Sequence, residues 1–236
     1  MMARTYADLR EHLTRLDEAG LLQRIDERVC KDTQMHPLVR WQFRGGIAEK
    51  DRKAFLFTNV VGAKGRHFKN WSVAVGAIAT NPEIYRLGMN VPTLDDIGPA
   101  WERAMANPIP PRVVESGPVH EVVITGEELK GSGKGLEGLP VPISSPGFDA
   151  APYLTQTCTI TKDPETGVQN MGTYRGMLKS SDRLGMMMLV SNRAGGIEHW
   201  AKHNKTRDPM PMAIVLGAPP LVAFLGPQRY GTGWTN

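Results

Sequence analysis

Apolar positions in the opening stretch recur at helical spacing, with Leu9, Leu13 and Leu16 on one face. Thr5 and Asp8 give a capping-box-like start and Gly20 a stop, so the pattern predicts an amphipathic helix over Thr5 to Ala19. Leu21 to Val29 partly alternates, Pro37 to Phe43 reads as helical, and the apolar run Ala54 to Val61 predicts a buried strand. Val73 to Ala79 is small and apolar. Asn81-Pro82 opens a helix through Leu87, and Thr93 opens another that runs to about Ala106 before Pro108, Pro110 and Pro111 end it. Beyond these prolines Val119 to Thr125 is strand-like, and the glycine-rich loop Lys130 to Gly138 precedes Leu139-Pro-Val-Pro-Ile143. Tyr153 to Lys162 and Val168 to Leu178 flank the turn Asp163-Pro-Glu-Thr-Gly167, which predicts a β-hairpin. A strand at Leu184 to Val190, a short helix at Ile197 to Asn204 and a strand at Met212 to Leu216 follow. The chain then passes Pro219-Pro220 into Leu221 to Leu225. The expected organisation is a lobe of α/β character over residues 1–110 and a second, β-richer unit over 111–236, with the boundary near Pro108 to Pro118.

Composition narrows the function classes. The chain has 236 residues, 41% of them hydrophobic, enough to bury a core. Lys and Arg number 28 against 24 for Asp and Glu, and the excess is scattered, so no nucleic-acid footprint is expected. Apolar runs such as Met186 to Val190 fall far short of the ~20 residues of a membrane span, and the polar start has no signal segment. A cytoplasmic protein is the expectation. Cys30 and Cys158 have no ligand-like spacing and are expected to be reduced and structural.

Candidate chemistry concentrates in Gln169-Asn-Met-Gly-Thr-Tyr-Arg-Gly176, where an amide, a hydroxyl, a phenol and a guanidinium crowd one predicted strand. In a strand Asn170, Gly172 and Tyr174 face one way and Met171, Thr173 and Arg175 the other; an ordinary half-polar strand is the alternative reading. Ser191-Asn-Arg-Ala-Gly-Gly196 is a glycine-containing turn into a helix, where free N–H groups and Arg193 would favour an anion. Together the two stretches suggest a phosphate- or carboxylate-bearing ligand between adjacent strands. His199 and His203 have i,i+4 spacing but no third ligand, so a solvated helix face is expected; Glu198 reads as surface and Trp200 as a packing residue. Met186, Met187 and Met188 suit an adaptable apolar wall. Lys130 to Gly138 lacks the spacing of a P-loop.

Asn170-Met-Gly-Thr-Tyr-Arg175, Leu184-Gly-Met-Met-Met-Leu-Val-Ser-Asn-Arg-Ala-Gly-Gly196 and Met210-Pro-Met-Ala-Ile-Val-Leu-Gly-Ala-Pro-Pro220 resemble, in order and spacing, core segments of UbiD-type enzymes. Tyr6-Ala-Asp-Leu-Arg-Glu-His-Leu13, Leu139-Pro-Val-Pro-Ile143 and Ala151-Pro-Tyr-Leu-Thr155 fit the same pattern. The resemblance implies a mixed fold (α+β / α/β), with an N-terminal α/β lobe before a split-β-barrel flavin-binding domain. It also implies prenylated FMN as cofactor and reversible, non-oxidative decarboxylation of an aromatic or α,β-unsaturated acid, releasing or fixing CO2. By position, Asn170 matches a ligand to a divalent metal, usually Mn2+, with K+ as a further ion. Thr173, Tyr174, Arg175, Met188, Leu189, Val190, Arg193 and Ala194 match cofactor contacts, and Arg175 also matches the catalytic arginine beside the reacting carboxylate, a role its bidentate fork suits.

Two departures accompany the resemblance. Where many relatives carry a histidine metal ligand, Asn192 stands here, an acceptable oxygen donor without imidazole's basicity. The family's metal-binding glutamate, its acid/base carboxylate and its C-terminal dimerisation domain are expected beyond residue 236. The expectation is therefore an enzyme in which a longer chain or a second polypeptide completes the site, as a homo-oligomer or complex. The competing expectation is a non-catalytic flavin-binding or accessory subunit, or a truncated fragment. Glu115, Glu121 and Asp149 are the carboxylates that remain open as proton donors.

Overall fold

In the computed structural model, which describes residues 6–189 and 194–228, the Asp8 carboxylate accepts the Glu11 N–H at 2.9 Å and starts helix α1 (Leu9–Glu18). The cap is thus Asp8 alone among described residues, and the helix begins later than predicted; Thr5 lies outside them. Gly20 ends the turn at φ +69°, where a side chain would be strained. Strand β1 (Leu22–Ile25) is followed by β2 (Val29–Cys30), helix α2 (Met35–Arg44), β3 (Ala54–Phe57), β4 (Val60–Val61) and β5 (Val73–Val75). β1 runs parallel to β3, β3 antiparallel to β5, and β2 parallel to β4. The run predicted as one strand over Ala54 to Val61 divides into two, and the partly alternating stretch from Leu21 to Val29 runs through β1 into the start of β2. At the break Thr58 Oγ1 donates to the Ile25 carbonyl and to Asp26, capturing the chain where it leaves the first sheet.

Two apolar clusters hold this lobe. One gathers Val29, Met35, Val39, Phe57, Val60 and Phe68, and the other Leu16, Ala54, Ala77 and Ile84. Gln42 on α2 is buried because its amide pairs with both the N–H and the C=O of Lys53, at 2.9 and 3.0 Å. Helix α3 (Pro82–Met89) has Asn81 accepting the Ile84 N–H and proline at its first position, as the sequence predicts. Helix α4 (Ile97–Ala106) ends where expected, after a capping box of Thr93 and Asp96.

Residues 107–152 form no strand. The strand predicted at Val119 to Thr125 is instead irregular: its branched side chains point to solvent, and no described strand pairs with it. The loop from 131 to 149 is tied to the first lobe by cations that donate to carbonyls: Arg66 to Gly133, Lys31 to Val141 and Arg40 to Ser144.

The remaining strands are β6 (Tyr153–Leu154), β7 (Thr157–Lys162), β8 (Gln169–Gly172), β9 (Gly176–Ser180) and β10 (Arg183–Met186), then helix α5 (Gly195–Thr206), β11 (Met212–Leu216) and helix α6 (Pro220–Leu225). They form two antiparallel sheets, ordered β11-β7-β8 and β10-β9-β6, neither of which closes on itself among the described residues. The hairpin at Asp163 to Gly167 is present as β7–β8. Its second arm, predicted as one strand over Val168 to Leu178, is cut at Thr173–Arg175, because β9 pairs with β6 and β10 rather than β7. The strand predicted over Leu184 to Val190 ends at Met186, and Val190 lies outside the described residues. The mixed α/β class agrees with expectation.

Candidate functional site

The crossing from β8 to β9 sends consecutive side chains in different directions. Tyr174 points at the start of α5: its phenol oxygen accepts the Gly196 N–H at 3.1 Å and the Asn170 amide N–H at 3.3 Å. Glycine makes this possible. A Cβ on Gly172 would enter the Tyr174 ring, one on Gly196 would stand 2.9 Å from its Cε2 and 2.6 Å from Met188 Sδ, and one on Gly195 would meet Asn170 Oδ1. The Gly195-Gly196 pair, read from sequence as part of an anion-binding turn, is also the space into which Asn170 and Tyr174 pack. With the Asn170 nitrogen committed to Tyr174, no described residue donates to its amide oxygen.

Thr173 turns the other way, toward α6. Its hydroxyl oxygen is buried and has no hydrogen-bond partner among the described residues, and Thr173 lines a cavity of about 260 Å³ with Tyr85, Gln156 and Phe224. An unpaired buried hydroxyl costs about 1–3 kcal/mol, so a polar ligand group there would be favourable. Arg175 is exposed. Its Nε and Nη2 lie 3.0 and 2.7 Å from Met187 Sδ, a weak acceptor, and its guanidinium stands 5.9 Å from the Tyr153 ring centre. Among the described residues no carboxylate pairs with it, which leaves a cation fit for an anionic ligand. Met188 reaches Gly196, and the Ala194 N–H approaches the Leu189 carbonyl at 3.5 Å. Asn192 and Arg193, like Val190, lie outside the described residues. A larger groove of about 520 Å³, lined by Arg28, Cys30, Gln34 and Gly65, shares none of these residues.

The frame behind the site is polar. Thr157, Thr159 and Thr161 of β7 are buried; Thr157 Oγ1 donates to the Tyr174 carbonyl at 2.6 Å, and Thr159 donates to Thr157. Thr161 meets His199 Nδ1 at 2.9 Å. Expected on a solvated face, His199 is only 8% exposed, with its pKa lowered chiefly by burial. Trp200, expected to pack, is 45% exposed. Lys202 donates to Asp163 at 2.6 Å and reaches Glu165 at 2.8 Å; the Lys202 hydrogen bond chiefly holds the Asp163 carboxyl down at about 2. Sequence reasoning missed Thr157 and Met187. The period-2 threonines of β7 were the available signal for the first; Met187 was read only as part of an apolar wall, and nothing in the sequence pointed to its sulfur meeting Arg175.

Comparison with known proteins places the chain in a family. The family profile described as UbiD, 3-octaprenyl-4-hydroxybenzoate carboxy-lyase Rift-related domain, matches residues 112–232. The chain belongs to the UbiD family. Among solved structures, this UbiD-family chain is 26% identical to vanillic acid decarboxylase of Sedimentibacter hydroxybenzoicus in its closed form. The TM-score is 0.80, with 97% of this chain and 46% of that one covered. It is 27% identical to the UbiD-class enzyme HmfF of Pelotomaculum thermopropionicum in complex with FMN, with a TM-score of 0.73 and 90% and 43% coverage. An evolved dimeric form of HmfF in complex with prenylated FMN matches at 28% identity and a TM-score of 0.74, covering 91% and 45%. The chain therefore spans less than half the length of these relatives. No helix among the described residues is long and apolar enough to cross a membrane.

Proposed function

We propose that this chain carries the flavin-binding part of a prenylated-FMN-dependent carboxy-lyase that acts reversibly on an aromatic or α,β-unsaturated acid. The remainder of the active site would come from a longer chain, a second polypeptide or another copy. The observation that carries the reading is the Asn170–Arg175 crossing in a UbiD-family chain. It offers an amide oxygen without a described donor, a buried hydroxyl without a described partner and an arginine without a described carboxylate. These three groups fit a ligand with oxygen functions, a bound cation and an acid. Residues 111–236 would form the flavin-binding unit, and the match over 112–232 supports that division from 1–110.

Bound prenylated FMN would supply the electron sink for the pair left when CO2 departs. The chain's own residues hold and orient. Arg175 would clamp the substrate carboxylate through two parallel N–H donors, keeping the C–C bond to be broken aligned; its weak hold on Met187 sulfur is readily exchanged for a carboxylate. Thr173 would donate to the cofactor, and Met188, Leu189 and Val190 would line it. Arg193 and Ala194 would face its phosphate. Asn170 and Asn192 would present amide oxygens to Mn2+, with K+ as a second ion. Among the described residues no carboxylate contacts Asn170, Tyr174 or Arg175, and no cluster of three His, Cys, Asp or Glu could hold a metal. That observation favours a second reading, a flavin-binding accessory chain without turnover of its own.

Arg175→Lys tests the clamp. In the assembled enzyme a point charge cannot reproduce the planar two-point grip, so kcat/KM should fall by about two orders of magnitude, the scale of a misplaced reacting group. Near-wild-type kinetics would make Arg175 structural and leave the accessory reading.

A further inference from the structure

Tyr174 is held from three elements at once. Its carbonyl accepts Thr157 Oγ1 of β7 at 2.6 Å, its ring lies against Gly172 of β8 and Gly196 of α5, and its phenol oxygen accepts N–H groups from Asn170 and Gly196. A phenol oxygen has two lone pairs. Both are used inside the protein, so this oxygen has none left to accept from a ligand.

We infer that Tyr174 is a positioning residue: its phenol oxygen sets the orientation of the Asn170 amide and locks the first turn of α5 to β8, and only its O–H is left to donate to a ligand. The side chain of Asn170 can present either its oxygen or its NH2 outward. Donation of the NH2 to Tyr174 settles the choice, leaving the oxygen for a cation or another donor. The same phenol takes one of the first-turn N–H groups of α5 that have no partner within the helix. That N–H is then closed to a phosphate, so any anion at this turn must bind through its neighbours. Thr173 and Arg175, on either side of Tyr174, diverge from a fixed point, and their spacing is set by the two hydrogen bonds on its oxygen and the one on its carbonyl. The assignment of a cation to Asn170 rests on the proposed function; the lock itself does not.

Tyr174→Phe keeps the ring and removes the acceptor. By hydrogen exchange, the Gly196 amide should exchange about tenfold faster, the scale of one lost hydrogen bond, while the amides of β7 stay protected. By NMR, the Asn170 side-chain 15N–1H pair, assigned through Asn170→Asp, should move toward the position of a solvent-exposed amide. By calorimetry, the enhancement of manganese binding by FMN should shrink about tenfold, whereas FMN affinity without metal changes less than about threefold. Gly196→Ala, whose Cβ would press on the ring, should give the same pattern if Tyr174→Phe folds poorly. Unchanged Gly196 exchange and an unmoved Asn170 signal would overturn the inference. A wild-type chain that shows no FMN-dependent manganese binding, but whose amide signals respond to Tyr174→Phe, would keep the lock and overturn the functional reading.

Discussion

Between Leu16 and Ile84 the interior is dominated by two apolar clusters around Phe57 and Ile84, with Lys31, Gln42, Thr80 and Asn81 the buried polar exceptions, whereas the central strand β7 turns Thr157, Thr159 and Thr161 inward. The two regions stabilise in different ways. Apolar burial is non-directional and proportional to area, so the first lobe gains compactness without any one atom having to meet another. Each buried hydroxyl of β7 has a particular partner: Thr157 holds the Tyr174 carbonyl and Thr161 holds His199. Directional contacts of this kind fix orientation, and they stand under the residues proposed to bind cofactor. The contrast extends to the surface. The segment between Ile109 and Ile124 exposes branched aliphatic side chains, Val113 at 93%, so apolar residues that would join a core in the first lobe face solvent here.

If the contrast is sound, mutations separate by mechanism. Phe57→Ala should cost about 3–5 kcal/mol in urea unfolding, the cost of a cavity in a packed apolar cluster. Thr157→Val should cost about 1–3 kcal/mol, from a carbonyl left without its donor, and should weaken FMN binding, which Phe57→Ala disturbs only through unfolding. A larger loss of stability from Thr157→Val than from Phe57→Ala would reverse the comparison.

Histidine titration gives a smaller, graded effect. His12, His36 and His199 all have pKa values lowered, with burial the leading cause. His12 Nε2 faces the Ala77 carbonyl at 2.8 Å and so must carry the proton, which leaves Nδ1 bare, buried and without a partner. The unfolded chain therefore takes up protons near pH ~6.5, where the folded chain resists them. Stability is full above that value and lost as the pH falls through the folded values. The thermal midpoint should drop between about pH 7 and pH 5, and His12→Gln and His199→Gln should each flatten the slope; a midpoint that rises on acidification would contradict the burial of these rings.

The sequence made local features legible. Asn81-Pro82, Thr93 with Asp96, Gly20 and the Asp163 turn each act within a few residues, and each ends or starts an element as predicted. Non-local pairing was not legible. The β-branched run Val119 to Thr125 has the composition of a strand, but a strand needs a neighbour, and none of the described strands supplies one. Val168 to Leu178 has one continuous pattern, yet β6 claims its second half, and that competition is invisible along the chain. Asn170 and Tyr174, four residues apart, would stand about 13 Å from each other in a continuous strand; they meet because the strand ends at Gly172 and the chain turns, and the same break sends Thr173 and Arg175 apart. The burial of His199 depends on Thr161, 38 residues earlier. Helical spacing alone could not say which face of α5 would be covered.

The central claim, that the Asn170–Arg175 crossing binds flavin together with a metal, is most directly tested by calorimetric titration of the chain with manganese, with and without FMN. Among the described residues no acidic cluster compensates a divalent cation, so the flavin phosphate would have to supply the negative charge. Manganese should bind weakly alone and more tightly with FMN, and manganese should raise FMN affinity by the same factor. Tight manganese binding without flavin, or titrations that FMN leaves unchanged, would contradict it.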